Sequence, residues 1–230
     1  MVVTVLLCGC SAKQGLEATK EWEESQQVSD VQSKETLNVN EEIRHSLVQI
    51  EAGEVGGSGV IYKITEENMI IVTAGHVLEQ AEDNVTVTFF NGATVESNTY
   101  QCSLTSEVAF IELHLSDISQ DNLRYYRAVS VDKQKYDALT EGAKMKMPGG
   151  ELEGQENIVY GTLLYPWIYV EDFEQYMMLV QGETVAGMSG GGLFDEENHY
   201  VGILCGVNEA GQTAAVPLNI IFAEYAQKYE

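Results

Sequence analysis

From about residue 43 to residue 116, short apolar runs alternate with polar turns: Leu47–Ile50, Val60–Tyr62, Ile70–Val72, Val85–Phe90 and Val108–Leu115. Runs of this length are too short for buried helices, and turn residues bound them on both sides. They predict the strands of a closed antiparallel barrel. Asp117–Tyr126 is polar and predicts a crossover. A second series follows, through Ala143–Met147, Val159–Tyr165, Met177–Val180, Gly192–Phe194, Tyr200–Val207 and Thr213–Val216. It predicts a second barrel. Only at Ile220–Tyr225 does the apolar spacing change to that of an amphipathic helix, one that would dock on a barrel.

The stretch before residue 43 has neither pattern. From Ser11 to about Glu42 the chain is rich in Glu, Gln, Ser and Lys with few apolar positions, a composition that cannot bury enough surface to order itself. The expectation is an acidic tether over 10–42. Ahead of it, Val2–Leu7 is apolar and runs into Leu7-Cys8-Gly9-Cys10. That arrangement resembles a bacterial lipoprotein signal, with 1–9 as the signal segment and Cys10 as the cysteine that receives a diacylglyceryl group. The run is short, and no Lys or Arg precedes it, whereas a secretory signal normally begins with a basic region. Lipid chains anchor through buried methylenes, so the resemblance implies a membrane-attached protein at the bacterial cell envelope, outside the cytoplasm, without a spanning helix.

Three segments carry chemistry. Gly187-Met188-Ser189-Gly190-Gly191-Gly192 offers a hydroxyl on a loop whose glycines allow the N–H groups of Gly187 and Ser189 to converge on one anion-binding concavity. A serine is a poor nucleophile until a base takes its proton, and its tetrahedral adduct needs donors for the oxyanion. Ile70-Ile71-Val72-Thr73-Ala74-Gly75-His76 ends an apolar run on a small-small-His corner, which places an imidazole at a strand end. Between the two, Ser106-Glu107-Val108-Ala109 puts a carboxylate immediately before an apolar strand. The order His76, Glu107, Ser189 is one of the chain orders that a His–acid–Ser triad adopts.

With these residues in view, the span from about Ile43 to Tyr225 resembles a trypsin-like peptidase domain, closest to the HtrA-like proteases and without a PDZ domain. Gly56-Gly57-Ser58-Gly59-Val60-Ile61, Gly161-Thr162-Leu163, Tyr200-Val201-Gly202-Ile203 and Ala215-Val216-Pro217-Leu218-Asn219 carry the resemblance beside the three segments above. It implies an all-β, chymotrypsin-like fold: two antiparallel six-stranded β-barrels over about 43–118 and 125–217, and a short C-terminal helix over about 218–228. It also implies a serine endopeptidase with polypeptide substrates. Glu107 departs from the usual aspartate, and Met188 stands where the group usually carries asparagine or aspartate. By the same resemblance Glu183 would floor the pocket for the residue before the scissile bond, where a buried carboxylate would favour Lys or Arg. HtrA-like loops place that position differently and prefer small apolar residues. Leu204, Cys205, Gly206 and Val207 would pair with the substrate backbone as an added strand.

Charge and cysteines narrow the field. With 36 Asp and Glu against 12 Lys and Arg the formal net charge is −24, which repels phosphate backbones and makes nucleic acid an improbable partner. His45, His114 and His199 are scattered singly, Cys102 and Cys205 fall on different barrels, and no metal-type spacing occurs, so neither metal nor cofactor is expected. Oligomeric state is not legible. An inactive trypsin-fold module that binds peptides, or a structural envelope lipoprotein, remain alternatives to an active enzyme.

Overall fold

The computed structural model describes residues 39–149 and 158–230. The expected signal segment, Cys10 and most of the expected tether lie outside them. The tether expectation is corrected at its end: α1 (Val39–Arg44) is helical, and Ile43 on it is buried against the core that follows. Among the described residues no helix is long and apolar enough to cross a membrane.

The first sheet comprises β1 (Leu47–Ala52), β2 (Val55–Ile64), β3 (Asn68–Thr73), β4 (Val85–Phe89), β5 (Thr94–Ser97), β6 (Tyr100–Cys102) and β7 (Ala109–His114). Neighbours run antiparallel in the order β5-β4-β1-β2-β3-β7-β6. The expected closed six-stranded barrel is therefore a curled seven-stranded sheet whose hydrogen-bond ladder does not close. Its two edge strands are consecutive in the chain, joined only through Asn98 and Thr99. This polar pair breaks the apolar alternation and kinks what would be one strand. The kink is tied to β7 at Glu112, whose N–H donates to Thr99 O (2.8 Å) and whose carbonyl accepts from Ser97 Oγ (2.6 Å). Chain continuity thus closes the curl where pairing does not. Val48, Ile50, Val60, Ile71, Val87, Phe89 and Ile111 fill its interior.

The second sheet is a closed barrel of β8 (Lys144–Pro148), β9 (Ile158–Val170), β10 (Gln175–Gln181), β11 (Gly192–Asp195), β12 (Tyr200–Val207) and β13 (Gln212–Pro217). Its core is rich in methionine: Met145, Met147, Met178 and Met188 pack with Leu163, Val180, Leu193 and Val201. The unbranched thioether side chain fills irregular gaps of this kind. Strand β9 runs five residues beyond the expected end at Tyr165. The strand continues through Pro166, which lacks an N–H, because the register shifts opposite it, between Met177 and Leu179. The resulting hairpin carries Tyr165, Trp167, Tyr169 and Tyr176 exposed, with Trp167 stacked on Tyr176 at 5.1 Å.

The C-terminal helix, α2 (Leu218–Tyr229), follows the second barrel but returns to the first. Leu218, Ile221, Phe222 and Tyr225 are buried in the first-sheet core, with the Tyr225 ring 5.3 Å from Tyr62 and 5.9 Å from Phe110. Ser106 Oγ donates to Glu224 Oε1 at 2.8 Å, so the helix also braces the loop that precedes Glu107.

Candidate active site

Antiparallel pairing brings the acid to the base. Thr73 at the end of β3 is opposite Ala109 at the start of β7, so the residues that follow one strand meet those that precede the other. After β3 the chain turns through a single 3₁₀ turn, Gly75–Val77, anchored by the buried Val77. His76 thereby faces Glu107. Its Nδ1 lies 2.8 Å from Glu107 Oε2, and the same oxygen accepts from the His76 backbone N–H at 3.3 Å. The ring hydrogen bond from His76 holds the Glu107 carboxyl below the ordinary carboxylate range, overcoming the opposing effect of burial. A carboxylate on Nδ1 places that ring proton there and leaves Nε2 as the free base.

The glutamate's additional methylene is accommodated against Gly75. A methyl group placed on Gly75 would lie 3.6 Å from Glu107 Cα and 3.6 and 3.7 Å from its two carboxylate oxygens, so the acid's side chain lies along the glycine backbone.

The serine loop precedes β11 and is docked on both barrels. Gly190 N–H donates to Leu204 O (2.7 Å) and Leu204 N–H to Gly191 O (2.8 Å) within the second barrel. From the first, Ser58 N–H donates to Ser189 O (2.7 Å), and Ser58 Oγ donates to Gly187 O (2.6 Å). Ser58 is itself fixed by Thr73 Oγ1, which donates to its carbonyl at 2.7 Å. Gly190 has a φ of +86°, and a methyl group there would fall 2.1 Å from both Ser58 O and Thr73 Oγ1, so no other residue fits.

Gly187 also has a positive φ, +89°. In the same loop Met188 N–H donates to Val185 O and Gly191 N–H to Met188 O, whereas the N–H groups of Gly187 and Ser189 have no hydrogen-bond partner among the described residues. Two unengaged donors, that of Gly187 and that of the hydroxyl-bearing Ser189 itself, are the backbone groups that an oxyanion could use. Met188 is buried in the methionine core, its sulfur accepting from Val185 N–H at 3.3 Å, which is why an apolar residue serves at this position.

In this conformation the Ser189 hydroxyl donates to Cys205 O at 2.9 Å, not to His76. Catalytic hydrogen bonds are often incomplete without substrate and tighten when it binds.

The expected specificity residues divide. Glu183 is exposed beside the turn at Gly211, so it is not a buried carboxylate; the buried polar groups in that stretch are neutral. Thr213 Oγ1 donates to Gly182 O at 2.6 Å and lies 3.1 Å from Thr184 Oγ1, which must then be the donor of that pair. Leu204 is buried with both backbone groups engaged by Gly190 and Gly191, and so cannot receive a substrate strand. Cys205 occupies the bulge between Leu204 and Gly206, and its carbonyl holds the Ser189 hydroxyl. Gly206 is half-buried, and Val207 is exposed at the end of β12. Cys102 and Cys205 are free thiols, and burial pushes that of Cys205 well above its ordinary value. Among the described residues no three His, Cys, Asp or Glu side chains gather as metal ligands.

Residues 57–203 match the family model for the trypsin-like peptidase domain, more than half of the chain, and the chain belongs to that family. Its fold is shared with solved proteases at low identity. The HtrA-type protease AlgW, in a serine-to-alanine form with a tripeptide, is 16% identical with a TM-score of 0.67, over 83% of this chain and 62% of that one. The Rv3671c protease in an inactive form is 16% identical with a TM-score of 0.66, over 84% of this chain and 93% of that one. The same protein from M. tuberculosis H37Rv, as an inactive serine-to-alanine mutant, is 15% identical with a TM-score of 0.63, over 84% and 90%. This chain thus spans less than two thirds of the AlgW chain's length. No curated protein matches the chain in sequence.

Proposed function

We propose that the chain is a serine endopeptidase in which His76, Glu107 and Ser189 act as the triad, held at the bacterial envelope by lipid on Cys10. The observation that carries the catalytic reading is the 2.8 Å His76–Glu107 contact, together with a serine loop in which the N–H groups of Gly187 and of Ser189 itself are unengaged. Ser189 Oγ turns from Cys205 O to His76 Nε2, gives up its proton there and attacks the substrate carbonyl carbon. The carbonyl oxygen takes the electron pair and is met by the N–H groups of Gly187 and Ser189. Collapse expels the amine, which leaves with the proton from His76. Water, deprotonated by the same imidazole, then releases the acid and restores the hydroxyl. Because Glu183 is exposed, it supplies no buried counter-charge for a Lys or Arg side chain before the scissile bond.

A second reading, an inactive peptide-binding module, is favoured by the hydrogen bond from Ser189 to Cys205. A fluorophosphonate probe separates the two, because it reacts only with an activated serine. Labelling of Ser189 is the expected result, and a folded protein that stays unlabelled is the inactive module. Attachment is tested separately. The full chain made in a bacterial host with a functional start should take up labelled fatty acid and sediment with membranes. Cys10→Ala should lose both, and a variant that keeps both removes the anchor from Cys10.

A further inference from the structure

Glutamate carries its carboxylate on a longer arm than aspartate, so where the acid ends depends on where its backbone is held. That backbone is held from the opposite barrel. Gln175 Oε1 accepts from the Glu107 N–H at 3.2 Å. Gln175 opens β10, pairs with Val170 across the hairpin, and is 8% exposed. Its amide has one workable orientation, since a backbone N–H can only donate and the oxygen must face it. The amide nitrogen then faces Met177 Sδ, 2.8 Å away and fully buried. The contacts run from Met177 through Gln175 to the Glu107 backbone, and from the Glu107 carboxylate to His76.

We propose that Gln175 is a positioning residue for the catalytic acid, fixing the Glu107 backbone so that its carboxylate reaches His76 Nδ1. The proposal rests on the triad reading above. It also completes a reciprocal arrangement. Ser58 of the first sheet holds the loop that bears Ser189, and Gln175 of the second barrel holds the residue that partners His76, so each barrel fixes the other's contribution to the site. Without Gln175 the half-buried Glu107 N–H faces no acceptor. The loop relieves this by turning toward water, which draws the carboxylate off the imidazole.

Gln175→Met keeps the length of the side chain and removes the acceptor. Its limiting rate of phosphonylation by a fluorophosphonate should fall roughly five- to tenfold, with the half-saturating probe concentration unchanged, the effect of one lost hydrogen bond in the transition state. In a Glu107→Gln background the same substitution should add almost nothing, because the carboxylate it positions is gone. A readout that needs no activity accompanies these. The His76 Nδ1 proton should give a far-downfield NMR signal in the wild type that moves upfield in Gln175→Met, while the thermal midpoint stays near the wild-type value. An equal loss in both backgrounds, or a His76 signal that stays in place in folded Gln175→Met, reduces Gln175 to a packing residue. A wild type that shows the signal and never labels refutes the enzyme reading, and the signal's response to Gln175→Met still decides the positioning role.

Discussion

Ser189→Ala should remove hydrolysis of fluorescent casein down to a residual rate on the order of a millionfold below that of the parent, the scale seen when a triad nucleophile is lost. The fold should survive, because among the described residues the side-chain bond that disappears is the one to Cys205 O. His76→Ala should fall to the same level, since Ser189 then stays protonated at neutral pH. The double variant is no slower than either single one, because the two act as a unit. Turnover and thermal midpoint measured on the same preparations check this. A folded Ser189→Ala protein that retains a tenth or more of the parent rate takes Ser189 out of the mechanism.

The second large effect falls on the acid. Glu107→Ala should lower kcat/KM by roughly 10⁴-fold with the fold retained, as when a triad acid is neutralised. Glu107→Asp is more discriminating. The present carboxylate reaches both the Nδ1 and the backbone N–H of His76 with its backbone anchored to Gln175. A side chain one methylene shorter, on the same anchored backbone, falls short of Nδ1. Activity should therefore drop although the more usual residue has been installed. A rise would mean that the site is built to the aspartate geometry. The pH dependence has a definite sign. The Glu107 carboxyl is held below its ordinary range by the His76 hydrogen bond, so the stability this contributes is fully present above the unfolded carboxylate value and is lost as pH falls through the lower folded value. In a Glu107→Gln protein that acid-side loss should be smaller, which denaturation midpoints measured across acidic pH will show.

His76, Glu107 and Ser189 were legible in the sequence because each lies at a strand end next to a short, stereochemically constrained segment. Such segments leave local marks: a small-small-His corner, an acid before an apolar run, glycines around a serine. The strands were legible for the same reason, since alternation over a few residues is a local property. What escaped is long-range. Nothing in the neighbourhood of Gln175 indicates that its amide crosses between barrels to a residue 68 positions away. The Gly57-Ser58-Gly59 run marked a strand without indicating that Ser58 holds Gly187 O at a separation of 129 residues. Counting back from the serine fixes Glu183's position in the chain but not the direction of the turn, which leaves that side chain exposed. The unclosed first sheet escaped because a kink at Asn98-Thr99 and a loop of two polar residues read alike until pairing is known.

The return of α2 to the first sheet has a consequence in time. Synthesis runs from the amino end, and domains generally fold as they emerge. Here the Tyr62 and Phe110 face of the earlier sheet waits for Tyr225, and the loop ahead of Glu107 waits for Glu224. A nascent chain that has completed both barrels still has the acid's loop unbraced until Leu218–Tyr229 have emerged from the ribosome. The loop that carries the acid is thereby braced only after the strands of the second barrel have been made.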